Sequence, residues 1–406
     1  MLEKLFMDFG YTQEQYLEII NSYSFRHYTE EKIAEKFKLI STFFLEKGYT
    51  KTEIIRMSML LINLYSLSID NINQKIDDMV QLGFTREEVY KMTKSAPTIF
   101  GSGIDAIKRK MAEIMTLGYS KDEVNKMVKS LPTFFCISIN NMKQKIVDME
   151  TFGYRKEDII IMGKANPSIY NYSITNLKQK IVDMEELGYS HDEVLKMTKR
   201  LPNLFTFGIE SIKQKIDNII SLGYDREAVI KITRKFPAIF GYSMDSLKNK
   251  FSELVSLGYS PEEMIDMSKN FPELFCLKKE NLEQRLESII DLGYTKEEAH
   301  HMTISLPTLL GYTKESLEKK VRFYDSIGLH DMAVETPKNL MQSVELSYAR
   351  YQLYASEGIQ IDMSNYGKLF VKNKQFMNKY EISKEELIDT YNYDRDNKEN
   401  TNGRTI

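Results

Sequence analysis

Apolar residues return along this chain in two alternating stripes, both of helical period. In "KDEVNKMVKS", residues 121–130, Val124 and Met127 fall on one face. In the next stretch Met142, Ile146 and Met149 do so, and one cycle later Leu177, Ile181 and Met184. Charged and amide side chains fill the positions between. The stripes predict pairs of amphipathic helices, and glycine and proline punctuate them at a fixed interval. Gly48, Gly83, Gly118, Gly153, Gly188, Gly223, Gly258, Gly293 and Gly328 are 35 residues apart, as are Pro97, Pro132, Pro167, Pro202, Pro237, Pro272 and Pro307. A period of this size marks a solenoid, in which each repeat buries its apolar face only against its neighbours.

Local signals agree with that division. In most repeats a Ser or Thr follows the Gly-aromatic pair with an acid three residues on, as in Thr85/Glu88, Ser120/Glu123, Ser190/Glu193 and Thr295/Glu298. This is a capping box, which starts a helix by satisfying its free N–H groups. The helix runs to the proline, and a short aromatic piece such as "PTFF" predicts a 3₁₀ turn. A second cap (Ser138, Ser173, Gly208, Ser243) opens a helix of about 13 residues, which ends at the next glycine. The predicted fold is all-α: a right-angle helical-pair solenoid of helix–helix–3₁₀ repeats forming a curved superhelix. Residues 1–47 are read as an atypical N-terminal capping repeat, 48–327 as eight repeats, 328–390 as a helical cap and 391–406 as a disordered tail.

Charge and composition narrow the class. Lys and Arg number 55 against 58 Asp and Glu, so the total does not announce a polyanion binder. No apolar run is long enough to span a membrane, and the N-terminus has neither signal nor transit layout, from which a cytoplasmic location is expected. The two cysteines, Cys136 and Cys276, occupy equivalent positions four repeats apart. At roughly 8–10 Å per packed helix layer they are too distant to pair, and both are expected to stay reduced. No phosphate loop or nucleophile elbow occurs. The five histidines lack metal-ligand spacing, and pairs such as Glu87–Glu88 are explained by helix starts. No catalytic residue, metal site or cofactor is expected, and no small-molecule substrate; the protein is read as a non-enzyme and a monomer.

One polar position keeps its sign in every repeat: Lys75, Lys110, Lys145, Lys180, Lys215, Lys250, Arg285 and Lys320. It lies on the second helix, about 80° from the centre of the buried stripe, and so borders the core. A companion row stands two residues earlier, at Lys108, Lys143, Lys178, Lys213 and Lys248, and a third near the end of the first helix, at Lys94, Lys129, Lys164, Lys199, Arg234 and Lys269. The third row suits the negative end of the helix dipole. The invariant row has two readings. It could pair with acids three residues on or cover apolar surface with its stems, or it could line up charge for a phosphate backbone. Arg200 and Lys235 belong to a position that differs between repeats (Ser130, Ala165, Arg200, Lys235, Asn270), where any per-repeat recognition would reside.

The phrases "LGYSHDEVLKMTKRLPNLF" (187–205) and "SITNLKQKI" (173–181) resemble the repeat of the mitochondrial transcription termination factor (mTERF) family. The likeness covers about residues 40–330, and "LMQSVELSYARYQLYASEG" (340–358), with Ser343 and Arg350, is similar to that family's last region. The resemblance implies a superhelix that binds double-stranded DNA, or in some members RNA, through basic residues lining a groove, and that regulates transcription or RNA metabolism without a catalytic site. Mapped residue by residue, it implicates the invariant row, the companion row and Arg350. Strict repeats and the lack of a basic excess set this chain apart and suggest a bacterial or otherwise non-organellar relative. A protein-binding scaffold is the rival reading, since solenoids serve that role as well.

Overall fold

A computed structural model describes residues 1–396. The helices fall into two compact units, Met1–Ile209 and Glu210–Ile406, and no strand occurs among the described residues. In each unit the expected order recurs: a ten-residue first helix (Lys121–Ser130, His191–Arg200, Pro261–Asn270), a 3₁₀ turn beginning at the proline (Pro132–Cys136, Pro202–Thr206, Pro272–Cys276), and a second helix of 12 or 13 residues (Ile139–Glu150, Ile174–Glu186, Lys279–Ile290). First helices pack on first helices and second on second, with the 3₁₀ turns set against the preceding repeat's first helix. The chain is thus a helical-repeat solenoid in two layers.

The anticipated caps are present. Ser120 accepts from Glu123 N while Glu123 accepts from Ser120 N, and the same reciprocal box closes at Thr85, Ser190 and Thr295. Arg155 replaces the hydroxyl in one repeat and instead pairs with Asp158 (3.1 Å). Ending the second helices, Gly83 to Gly293 hold φ between 98° and 113°, a region that any side chain would strain. Val124, Met127, Phe134, Met142 and Met149 are all at most 1% exposed, and each fully buried side chain of this size contributes about 1.5–3 kcal/mol.

Polar stitches cross the apolar joints. The tyrosine after the glycine is buried and bonds through its hydroxyl to a Thr or Ser 44 residues later, in the next repeat's first helix: Tyr49–Thr93 (2.7 Å), Tyr154–Thr198 (2.6 Å), Tyr224–Ser268 (2.7 Å) and Tyr259–Thr303 (2.8 Å). Burial pushes the Tyr224 and Tyr259 phenols up to about 12, so they remain neutral donors. Where the aromatic is Phe84, the partner position holds Val128. Where it is Tyr119, the position holds Gly163, and Tyr170 fills the space and meets the Tyr119 hydroxyl at 2.6 Å. These exchanges satisfy the rule that a buried polar group keeps a partner or is replaced together with it.

The ends differ in detail from the expected division. Residues 10–48 already form a whole repeat, with a Thr12/Gln15 capping box, a 3₁₀ turn at Tyr23–Phe25 and a long second helix, Glu30–Glu46. After Gly328 the order continues with the first helix reduced to Met332–Glu335, then Pro337–Met341 and Val344–Ser356. The expected tail begins too early, because Tyr393 packs on Tyr348 (5.4 Å) and Asp394 pairs with Lys319 (3.1 Å). Asp396 also accepts from the Tyr348 hydroxyl (2.9 Å); residues 397–406 lie outside the described part. Cys136 and Cys276 are free thiols, both exposed.

Candidate functional site

The three basic rows have different fates. In the invariant row the stems are enclosed: Lys75, Lys145, Lys180, Lys250 and Lys320 are 8–9% exposed, and Lys110, Lys215 and Arg285 are half-buried. The ammonium groups of Lys110, Lys145 and Lys215 donate to the carbonyls of Ile137, Tyr172 and Tyr242; Lys180 donates to Phe207 O (2.5 Å) and Lys320 to Gln342 O (2.6 Å). In each case the acceptor is the residue just before the next second helix's cap. Lys36 makes the same contact with Leu67 O at 3.5 Å and also reaches Ser66 O at 3.2 Å. Burial pulls the pKa values of Lys110, Lys145, Lys180, Lys215 and Lys320 down from the ordinary lysine range. Lys75 and Lys250 turn instead to Asp78 (3.7 Å) and Glu253. The row therefore corrects the expectation of an outward charge ladder. At Lys110, Lys145, Lys180, Lys215 and Lys320 the cation serves as a brace, in which a charged donor satisfies a carbonyl left over by the 3₁₀ turn.

The third row is also internal to the stack. Lys94, Lys129, Lys164 and Lys199 pair with Glu53 (3.0 Å), Glu88 (2.7 Å), Glu123 (2.7 Å) and Asp158 (3.2 Å), each 41 residues earlier. Lys129 and Lys164 hold the Glu88 and Glu123 carboxyls below the usual range, helped by the capping N–H groups of Thr85 and Ser120. The helix dipole alone does not account for the row: Lys94, Lys129 and Lys164 reach the capping-box acid of the previous repeat and Lys199 reaches Asp158 at the same position, while Lys269, opposite Ala228, pairs with Asp266 in its own helix (3.1 Å).

The companion row is the exposed one. Lys108, Lys143, Lys178, Lys213 and Lys248 all face solvent. Each sits at the fifth residue of its second helix, with Arg109, Gln144, Gln179, Gln214 and Asn249 beside them in sequence. Lys213 pairs with Glu210 at 2.9 Å. Lys108, Arg109, Lys143, Lys178 and Lys248 enter no ion pair among the described residues. Two of these helices, Ile139–Glu150 and Ile174–Glu186, carry no acid in the first turn, whereas Asp70, Asp105, Glu210 and Asp245 occupy it in their counterparts. At these two consecutive helix starts of the first unit, capped by Ser138 and Ser173, amides and a lysine stand beside a first turn without carboxylates, a setting that favours anions.

Two further expected contacts are corrected. Arg350 is fully buried: its guanidinium donates to Leu369 O (2.7 Å), Val371 O (2.8 Å) and Asn373 Oδ1 (2.9 Å) and lies 4.3 Å from the Phe376 ring centre. It ties the C-terminal segment to the last long helix and offers nothing to an outside phosphate. Lys235 is half-buried and donates to Lys269 O at 3.1 Å, while Arg200 stands exposed at the end of its helix.

No group of three or more His, Cys, Asp or Glu side chains could hold a metal ion among the described residues, and no described helix is long and apolar enough to cross a membrane. His300 and His330 are not simple surface residues. They stack on Tyr259 (4.7 Å) and Tyr294 (4.3 Å) of the preceding repeat.

The mTERF family model matches residues 4–116, 112–221 and 212–377. No curated protein matches the chain. The match spans nearly the whole sequence, and the chain belongs to the mTERF family, one of nucleic-acid-binding repeat proteins.

Proposed function

We propose that this mTERF protein binds duplex nucleic acid, DNA in preference to RNA, through the companion row, and acts without catalysis in regulating transcription or RNA metabolism. The observation that carries the reading is the exposed, unpaired set Lys108, Arg109, Lys143 and Lys178, placed on successive second helices of the first unit. Lys213 and Lys248 continue the pattern in the second unit. Single-strand binders add exposed aromatic platforms for stacking bases. Here the large aromatics exposed among the described residues are Tyr23 and Tyr28, both away from the row. A surface of cations, amides and helix N-termini suits a phosphate backbone instead.

Titration of labelled random-sequence duplex DNA against the full chain at several salt concentrations tests this. Four phosphate contacts from the first unit give a slope of log K against log salt of about −3.6. Lys108→Glu/Lys143→Glu/Lys178→Glu should remove most of that slope and leave helicity unchanged. Wild-type-like duplex binding by this variant would end the reading.

A further inference from the structure

The first helices carry a basic row of their own that neither the family nor the brace accounts for. Arg56, Lys91, Lys126, Ile161 and Lys196 occupy one position in five successive repeats of the first unit, and all five face solvent. The four cations enter no ion pair among the described residues. Glu87, Asp122 and Asp192 stand one helical turn before Lys91, Lys126 and Lys196, yet none of them is engaged. The pattern stops in the second unit, where Asp266 and His301 take the position after Lys231. The row is therefore not a requirement of the repeat.

Its fourth member is apolar. Ile161 is 56% exposed, above a crevice lined by Leu117, Gly118 and Ile160, with Lys164 at its edge. A second crevice opens between the helices Arg86–Ser95 and Lys121–Ser130, lined by Lys91, Met92, Ser95, Ser130, Pro132 and the Lys129–Glu88 pair. A phosphate backbone gains nothing from Ile161, and Lys156 and Glu157 stand together in the crevice, so the charge there favours neither kind of anion. An acidic polypeptide with one apolar side chain matches both features: the side chain covers Ile161, and flanking carboxylates reach Lys126 and Lys196, the same position one repeat away on either side. We propose that the first-helix face of the first unit docks an acidic protein segment with a hydrophobic residue between its acids. This face belongs to the other helix layer from the companion row, so the proposal stands apart from the nucleic-acid reading.

The probe is a labelled peptide of aspartates and glutamates around a central leucine, titrated by anisotropy against the full chain at low salt, beside its leucine-to-serine counterpart and duplex DNA. The wild type is expected to bind the leucine peptide. Lys91→Glu/Lys126→Glu/Lys196→Glu should weaken it by more than about tenfold, and Ile161→Ser by about threefold to tenfold, down to the level of the serine peptide. Lys108→Glu/Lys143→Glu/Lys178→Glu should leave peptide binding near the wild-type value. All these side chains are exposed, and unchanged circular dichroism and unfolding midpoints establish that the variants fold. Three results overturn the proposal: no peptide binding by the wild type, equal affinity for the two peptides, or loss of duplex binding in the first-helix variant matching its loss of peptide binding.

Discussion

Replacing Tyr154 and Thr198, singly and together, tests whether the repeat joints depend on paired hydroxyls. Tyr154 is 3% and Thr198 0% exposed, and their oxygens are 2.6 Å apart. Thr198 Oγ1 also donates to Val194 O at 2.8 Å, so the tyrosine is the donor in the pair. Tyr154→Phe removes one hydrogen bond and leaves the threonine donor satisfied, a loss of about 1 kcal/mol. Thr198→Val strands a buried phenol without its acceptor, which costs about 1–3 kcal/mol. The double variant recreates the Phe84/Val128 combination that the chain already contains, and exchanging both partners for apolar groups is nearly neutral. Urea unfolding should therefore show a coupling of about 1–2 kcal/mol, with the double variant more stable than Thr198→Val. Strict additivity, or a Thr198→Val no worse than Tyr154→Phe, would refute the reasoning.

Gly163→Ala should lower the thermal midpoint, because the added methyl overlaps the Tyr119 hydroxyl and crowds Tyr170 at 2.8 Å; overpacking of this kind costs about 1–3 kcal/mol. Gly163→Thr combined with Tyr170→Phe should recover part of the loss by restoring the usual pair. Arg350→Ala removes the donor for two buried carbonyls, and limited proteolysis should then cut readily between residues 357 and 373 while the repeats resist. The histidines give opposite pH dependences. His191 is raised by its bonds to Phe152 O and Glu185, so its stabilisation is present below about 6.5 and lost as pH rises through its folded value. His300 is lowered by burial, with Lys296 adding to this and Glu263 and Glu297 opposing it. Its contribution is present above about 6.5 and lost as pH falls. Unfolding midpoints across that range should lose the basic-side decline in His191→Gln and the acid-side decline in His300→Gln.

The fold was legible because its signals are local. The capping boxes, the glycine that closes each second helix and the proline that ends each first helix act within four or five residues, and repetition let the copies corroborate one another. The use of each basic row was not legible, because it depends on contacts with the neighbouring repeat. Constancy of sign at Lys145 and its equivalents showed that the position matters, but the acceptor is a backbone carbonyl 27 residues away, and carbonyls leave no trace in side-chain identity. Arg350 misled for the same reason. The tyrosine stitches and the ion pairs could have been found, since Tyr recurs with Thr or Ser at a 44-residue offset and Lys94, Lys129, Lys164 and Lys199 each have an acid 41 residues earlier. Phe84 with Val128 is the clearest such trace. The companion row, less regular than the brace, proved the exposed one: a surface position is free to vary where a joint is not.

The central claim is that one lysine row joins the repeats while its neighbour two residues earlier meets the ligand. Lys110→Met/Lys145→Met/Lys180→Met and Lys108→Gln/Lys143→Gln/Lys178→Gln remove the same number of charges from the same helices. Both should be measured by duplex-DNA anisotropy across a salt series, with urea unfolding alongside. The first set should lower stability by roughly 1–3 kcal/mol per brace and keep the salt slope; the second should keep stability and flatten the slope by about 2.7. Equal loss of slope in the two sets, or an unchanged slope in the second, would contradict the division of labour drawn here.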